Sequence, residues 1–178
     1  MLVTAASAGD FRLCRLRRKL GAVFIRIDHV GIAVHDLDEA IAFYREAFDL
    51  ELVHEEINEE QGVREAMLAV GDSGSYIQLL APLTEDSPIT KFLAARGEGV
   101  QQVAYAVADI DATCRNLLAK GLRLLYEQPR RGTAGSRVNF IHPKDAGGVL
   151  VELVEPADPQ PPASPHGSGQ AGPDLRNH

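Results

Sequence analysis

The feature that most constrains the fold of this chain is an internal repeat, in which one strand-like segment recurs 73 residues later. Residues 27–34 read IDHVGIAV, and residues 100–107 read VQQVAYAV. Near the end of each half the offset becomes 74, where YIQLLAP at 76–82 meets LVELVEP at 150–156. A repeat has to be recognised before a fold is assigned, because each copy is one supersecondary unit. We conclude that one structural unit is used twice.

The repeat pairs the polar residues that interrupt otherwise apolar strands, namely His29 with Gln102, and Gln78 with Glu152. Alternate side chains of a strand share one face, so a small residue such as Gly31 lies beside His29 on its face. Small neighbours leave space for a cavity. Two halves related by a pseudo-twofold axis are therefore expected to bring four ligand-type side chains together at one cavity.

Both halves show the same order of predicted elements. In the first half, a capping-box-like sequence at 36–39 begins a helix, and strands are predicted at 50–56, 63–70 and 75–81. In the second half, the predicted elements are strand 100–107, helix 109–120, and strands 122–127, 136–141 and 148–154. Ser87 and Pro88 begin a short linker helix that ends near Gly97. The sequence thus predicts an α+β fold of two βαβββ repeats that share one curved sheet and its cavity.

Composition divides the chain into three parts. Residues 1–24 are basic and are expected to be a poorly ordered extension, with a transit peptide or surface-binding helix as the alternative. Residues 25–156 are the folded domain, with repeats at about 25–84 and 98–156 and a linker helix at 87–96. Residues 157–178 are rich in Pro, Gly and Ser, which is typical of a disordered tail.

Composition also excludes several kinds of partner. The net charge of −7 argues against nucleic-acid binding, which relies on basic contacts to phosphate. No apolar run approaches the roughly 18 residues that cross a bilayer, so no membrane partner is expected. The two cysteines, Cys14 and Cys114, form no disulfide framework, and a cytoplasmic location is expected.

The βαβββ halves, with ligand-type residues on their first and last strands, resemble the vicinal oxygen chelate, or glyoxalase-like, superfamily. Residues 25–156 contain the motifs IDHVGIA at 27–33, NEEQGVRE at 58–65, QLLAPL at 78–83, GEGV at 97–100 and PRRGTAGSRVNFIHPK at 129–144. On these motifs, this part of the chain resembles the methylmalonyl-CoA epimerase family within that superfamily. The resemblance implies a homodimeric isomerase that interconverts (2R)- and (2S)-methylmalonyl-CoA by metal-assisted α-proton abstraction and return through an enolate.

The resemblance also implies a divalent metal ion, often cobalt, held by His29, Gln78, Gln102 and Glu152. Gln102 departs from the family pattern, which has a histidine at this position, and Gln101 replaces a second histidine. Amide and carboxylate oxygens suit harder ions than imidazole does, so manganese or magnesium is an alternative to cobalt.

The catalytic groups that the resemblance implies are two carboxylates. Epimerisation removes and returns the proton on the carbon between the thioester and the carboxylate, which needs bases on opposite faces of that carbon. Glu65 is implied as one base, and Glu152 as the other in addition to its role as a ligand. Glu65 shares a strand face with Val63 and Met67, and these apolar neighbours predict a pKa raised by desolvation.

The densest basic stretch of the folded part contains Arg130, Arg131, Arg137 and Lys144. A negatively charged chain needs such a local patch to attract the phosphates of an acyl-CoA substrate. The alternative for this stretch is a solvated loop.

Two other functions fit the same fold. One is a non-catalytic binding module for acyl-CoA or another small molecule, which has lost metal chemistry with Gln102. The other is a different metal-dependent isomerase or lyase of the superfamily. Glu65 distinguishes an epimerase from the binding module, because a binding module has little need for a carboxylate on an apolar face.

Overall fold

The computed structural model describes residues 24–157. The predicted basic extension at 1–24, except for its last residue, lies outside the described residues. The predicted tail at 157–178, except for its first residue, also lies outside them. Within 24–157, no helix has both the length and the apolar character that crossing a membrane requires.

Each half contains a strand, a helix and three further strands. The first half comprises β1 (Arg26–Ala33), α1 (Leu37–Phe48), β2 (Glu51–Asn58), β3 (Val63–Ala69) and β4 (Tyr76–Pro82). The linker helix is α2 (Pro88–Arg96). The second half comprises β5 (Gly99–Ala106), α3 (Ile110–Ala119), β6 (Arg130–Arg131), β7 (Arg137–Ile141) and β8 (Leu150–Glu155).

The strands form one curled, mixed sheet in the order β2-β3-β4-β1-β5-β8-β7-β6. Antiparallel strands β1 and β5 lie at its centre, and each is flanked by a parallel neighbour, β4 and β8 respectively. Read outward from the β1–β5 pair, the two halves have the same topology. The predicted α+β fold of two βαβββ repeats sharing one sheet is confirmed.

The helix starts follow from capping side chains at equivalent positions of the two repeats. The Asp36 carboxylate accepts the backbone N–H of Glu39 at 3.0 Å, and Asp109 accepts that of Ala112 at 2.7 Å. Each cap satisfies a helix N–H that has no partner within the helix. Because the two caps lie at equivalent positions of the repeat, the two helices begin at equivalent positions of the two halves.

Helices α1 and α3 cover one side of the sheet, and the site lies on the opposite side, where α2 packs on a separate cluster that includes Val63 and Leu80. Helix α1 packs on a cluster that includes Leu68 and Leu79, and α3 packs on one that includes Leu153. Side chains alternate along a strand, so the residues next to these leucines turn to the opposite, concave side. That side carries Gln78 and Glu152.

The predicted strand at 122–127 is wrong. Its only ladder contact is an isolated bridge between Leu124 and Ile141, and the sixth strand is the two-residue β6. The cause is the buried side chain of Asn139, whose Oδ1 accepts the N–H of Tyr126 while its Nδ2 donates to the Tyr126 carbonyl. Backbone bonds remain at Leu125, to β7, and at Arg123, to the residue after β7, but at Tyr126 the Asn139 side chain supplies the partners and the ladder stops.

Asn139→Leu is expected to lower the free energy of unfolding by about 2 kcal/mol, because Tyr126 loses the partners of both its N–H and its carbonyl. Urea unfolding measures the change. Asn116→Leu, at an exposed position of α3, is the matched control and should change stability by less than about 0.5 kcal/mol. Equal stability of the two variants would contradict this role for Asn139.

Candidate active site

The sheet register brings together the four polar residues that the repeat pairs. Gly31 on β1 lies opposite Gln78 on β4 and opposite Gln102 on β5. One row further, Ala104 on β5 lies opposite His29 on β1 and Glu152 on β8. Each row therefore places a small residue between two long polar ones, so the polar side chains lean over the small residue and meet.

These four side chains form one hydrogen-bonded group, which we call the ligand cluster: His29, Gln78, Gln102 and Glu152. His29 Nε2 lies 3.1 Å from Glu152 Oε2. Gln102 Nε2 donates to Gln78 Oε1 at 3.2 Å and also to Glu152 Oε2. All four residues are buried. Buried polar groups of this kind are stable only when they satisfy one another or a bound ligand.

Glycine is required at position 31 because of Gln102. A Cβ atom added to Gly31 would lie 2.7 Å from Gln102 Cγ and 2.9 Å from its Cδ. Since both contacts are shorter than van der Waals contact, a larger residue at position 31 would displace the Gln102 amide from the ligand cluster.

His29 is oriented by Asp28, a residue that the sequence pattern did not identify. Asp28 lies at a β-bulge, and its Oδ2 is 3.1 Å from His29 Nδ1. Burial lowers the pKa of His29, but the nearby Glu152 and Asp28 carboxylates outweigh it and raise the pKa to about 9. Asp28 thus fixes the ring so that Nε2 faces the ligand cluster.

A second bulge lies at the repeat-equivalent position of β5, at Gln101. The side-chain oxygen of Gln101 is buried and has no hydrogen-bond partner among the residues that the structure describes. It lines a cavity of about 300 Å³ that also contacts Gln102, Tyr126 and Arg130. Both bulges thus place a second polar residue directly before a member of the ligand cluster.

Glu65 lies beside the ligand cluster on β3 and is only 1% exposed. Its Oε2 accepts from Gln78 Nε2 at 2.7 Å, whereas its Oε1 has no hydrogen-bond partner within residues 24–157. Burial raises the pKa of Glu65 to about 7, with further contributions from Glu56 and Glu152, while Thr133 and Asn58 act in the opposite direction. A carboxylate with a free oxygen and a pKa near neutrality suits a general base.

Thr133 is another site residue that the sequence pattern missed. It lies between β6 and β7, and its Oγ1 accepts from Gln78 Nε2 at 3.0 Å. It also lines a cavity of about 420 Å³ together with His29, Met67 and Glu152. The flanking glycines Gly132 and Gly135 were the available signal, since they mark a loop that approaches a ligand closely.

The predicted basic residues lie in different surroundings. The Arg130 guanidinium stacks 3.9 Å from the centre of the Tyr126 ring and lines the smaller cavity. Arg131 and Lys144 are exposed. Arg137 is held in an ion pair with Asp111 at 3.0 Å. The structure therefore places Arg130 at the same cavity as Gln102, with Glu60 Oε1 3.8 Å away, and pairs Arg137 with Asp111.

Whether the ligand cluster fits a metal ion depends on its donors. Residues 24–157 contain no group of three or more His, Cys, Asp or Glu side chains placed to hold a metal. The ligand cluster instead offers one imidazole, one carboxylate and two amides. The carboxylate of Asp28 on the far nitrogen of His29 is the support that metal-binding histidines commonly have. Gln102 here turns its Nε2 toward Gln78 and Glu152, so the residues present fit a divalent ion bound mainly through oxygen once this amide turns its oxygen inward.

Comparison with known proteins shows one consistent relationship. Residues 28–140 match the model of the Glyoxalase/Bleomycin resistance protein/Dioxygenase superfamily. Over 132 residues, the chain is 38% identical to the ethylmalonyl-CoA/methylmalonyl-CoA epimerase of Cereibacter sphaeroides. This match covers 73% of this chain and 97% of that relative.

Two solved structures extend the comparison. The crystal structure of methylmalonyl-CoA epimerase from Mycobacterium tuberculosis is 60% identical, with a TM-score of 0.76, and the match covers 80% of this chain and 96% of that one. A methylmalonyl-CoA epimerase in complex with methylmalonyl-CoA and NH4+ is 54% identical, with a TM-score of 0.73 and coverage of 75% and 96%.

Proposed function

We propose that this chain, which belongs to the methylmalonyl-CoA epimerase family of the Glyoxalase/Bleomycin resistance protein/Dioxygenase superfamily, interconverts the (2R) and (2S) forms of methylmalonyl-CoA. The observation that carries the proposal is Glu65. A buried carboxylate with one unpaired oxygen, directly beside four ligand-type side chains, is costly to keep in a fold unless it acts on a ligand.

Glu65 and Glu152 are the proposed proton-transfer groups. They lie on β3 and β8, in different halves of the molecule, and the hydrogen-bonded amides of Gln78 and Gln102 lie between them. A substrate carbon held near these amides has one carboxylate on each side. One carboxylate then removes the α-proton and the other delivers a proton to the opposite face.

The proposed metal site is the ligand cluster. When bound there, a divalent ion supplies Lewis-acid stabilisation of the charge that develops on the thioester oxygen. Asp28 keeps His29 Nε2 pointed at the site, and Gln78 presents its Oε1 toward Gln102. With two amides and one carboxylate among four donors, the proposed ion is cobalt, as the family suggests, or the harder manganese or magnesium.

The substrate is proposed to be an acyl-CoA with a short branch. One relative of known structure is in complex with methylmalonyl-CoA, and another acts by name on ethylmalonyl-CoA and methylmalonyl-CoA. Arg130, Arg131 and Lys144 are proposed to attract the CoA phosphates, since all three are exposed. Arg137 contributes to this attraction less, because Asp111 and Glu155 compensate its charge.

The binding-module alternative is not favoured by the site. Loss of chemistry would remove the need to bury Glu65, yet this residue is retained at 1% exposure with a pKa of about 7. A cytoplasmic location remains part of the proposal, with the free, buried thiol of Cys114 in its support.

The experiment that tests this function starts from a single stereoisomer, (2S)-methylmalonyl-CoA. Separation of the intact CoA thioesters, which are diastereomers, is expected to show both the (2R) and the (2S) form at equilibrium; the thioester must stay intact because the free methylmalonic acid is achiral. Ethylmalonyl-CoA and succinyl-CoA run in parallel, and succinyl-CoA should be unchanged because it lacks a branched α-carbon. Retention of a single stereoisomer with every substrate would contradict the proposal.

A homodimer is also proposed, on the evidence of exposed apolar residues on the two central strands. Ile27 on β1 is 47% exposed and Val100 on β5 is 57% exposed, and apolar patches of this kind commonly mark interfaces. Sedimentation velocity is expected to show a dimer that Val100→Glu shifts toward monomer. Leu118→Glu, at a 53% exposed position of α3, is the control and should remain dimeric. A wild-type monomer would contradict the proposal.

A further inference from the structure

We infer that Glu56 is a positioning residue for the proposed reaction: it anchors the loop 132–136, and through this loop it fixes which end of the Gln78 amide faces the ligand cluster. The inference rests on the proposed function for its kinetic part only. Its structural part concerns the loop and can be measured without substrate.

Glu56 connects the two halves across the open side of the curled sheet. It lies on β2, which is one edge of the sheet, directly opposite Glu65 on β3. Its Oε2 accepts the backbone N–H of Ala134 at 3.3 Å and lies 2.7 Å from His54 Nε2. Ala134 belongs to the loop between β6 and β7, at the other edge of the sheet. Glu56 therefore ties the two edges together over the site.

The loop that Glu56 holds has an uncommon backbone. Ala134 has φ 53° and ψ 30°, a left-handed conformation that costs a non-glycine residue of order 1 kcal/mol. Gly132 has no room for a side chain, because an added Cβ would lie 2.4 Å from Val138 Cγ1. A strained residue keeps its conformation only when its surroundings hold it. The Glu56 carboxylate is the side chain that accepts the N–H of Ala134.

Thr133, the residue before Ala134, connects the anchored loop to the site. The Gln78 amide nitrogen has two hydrogens, which point at Thr133 Oγ1 at 3.0 Å and Glu65 Oε2 at 2.7 Å. With both hydrogens engaged, the amide oxygen is the end that faces Gln102, whose Nε2 lies 3.2 Å away. If Thr133 moved away with its loop, the Gln78 nitrogen would lose one of the two acceptors that hold this orientation and would keep only Glu65 Oε2.

The test compares three variants of the full-length protein. Glu56→Ala removes the acceptor, and Glu56→Gln keeps an acceptor oxygen without the charge. Glu51→Ala is the matched control, since Glu51 is an exposed glutamate of the same strand. Hydrogen–deuterium exchange of peptides covering 132–136 reports the loop, and steady-state kinetics with methylmalonyl-CoA report kcat and KM separately.

For Glu56→Ala we expect about tenfold faster amide exchange in the loop and a kcat lowered about 10- to 100-fold, with KM within about threefold of wild type. Glu56→Gln should restore slow loop exchange and a kcat within about threefold of wild type, which an electrostatic role of the charge would not allow. Glu51→Ala should match the wild type in both measurements.

Three results would overturn the inference: unchanged loop exchange in Glu56→Ala, faster exchange with an unchanged kcat, or a Glu56→Gln variant as impaired as Glu56→Ala. If the wild type shows no epimerase activity, the proposed function fails while the exchange data still decide whether Glu56 anchors the loop. If Glu56→Ala does not fold, the inference depends on Glu56→Gln, which must then keep both the exchange rate and the kcat of the wild type.

Discussion

Glu65→Gln is expected to lower kcat for methylmalonyl-CoA epimerisation by about 10³-fold while leaving KM within about threefold of wild type. The amide keeps the shape of the side chain and can still contact Gln78, but it cannot take a proton. Stopped reactions followed by separation of the intact CoA diastereomers measure kcat and KM. Glu51→Gln, on the exposed face of the neighbouring strand, is the matched control and should retain full activity.

The stability of Glu65→Gln shows whether this variant has lost only the catalytic base or has lost its fold. The pKa of Glu65 rises from 4.5 to about 7 in the folded protein, so its charged form is disfavoured there. The native state therefore binds more protons than the unfolded state between these values, and the stability of the wild type falls as pH rises through this window. Glu65→Gln removes that loss, so it should be the more stable protein at pH 8. A variant that keeps a kcat within tenfold of wild type would show that Glu65 is not the base.

Glu152→Gln is the second large expected effect, with kcat lowered about 10³-fold and divalent metal binding weakened about 10- to 100-fold. The Glu152 carboxylate contacts both His29 and Gln102 and is the one anionic member of the ligand cluster. Isothermal titration with cobalt, manganese and magnesium measures metal affinity, and separation of the intact CoA diastereomers measures kcat.

A third readout of Glu152→Gln needs no metal. The Glu152 carboxylate raises the pKa of His29, which is about 9, so the neutral amide should lower that pKa in metal-free protein. Titration of the His29 ring by NMR measures it. Glu127→Gln, at an exposed position, is the control. Unchanged metal affinity together with an unchanged kcat would contradict a role of Glu152 in metal binding and proton transfer.

The repeat made the fold and the convergence of the ligand cluster predictable. The spacing of His29 and Gln102 places each next to a small residue, and the pairing of Gly31 with both Gln78 and Gln102 follows once β1 and β5 are antiparallel neighbours. The burial of Glu65 was predictable from the apolar residues on its strand face. Periodicity is enough in these cases because the sheet register turns a position in the sequence into a position in space.

Other parts of the site depend on contacts that periodicity does not encode. The role of Asp28 depends on a bulge that changes its direction, and the roles of Glu56 and Thr133 depend on the two sheet edges meeting across the open side. The incorrect strand at 122–127 has the same origin. A side chain 13 residues away, that of Asn139, takes the hydrogen bonds that a ladder would use.

The most direct test of the central proposal is exchange of the α-proton of methylmalonyl-CoA with deuterated solvent, followed by NMR. It uses metal-stripped protein resupplied separately with cobalt, manganese or magnesium, with Glu65→Gln in parallel. We predict exchange that requires a divalent ion and that Glu65→Gln abolishes for the isomer whose α-proton Glu65 removes. Methylmalonyl-CoA that binds but keeps its α-proton with every ion would contradict the account and leave a binding module on an epimerase fold.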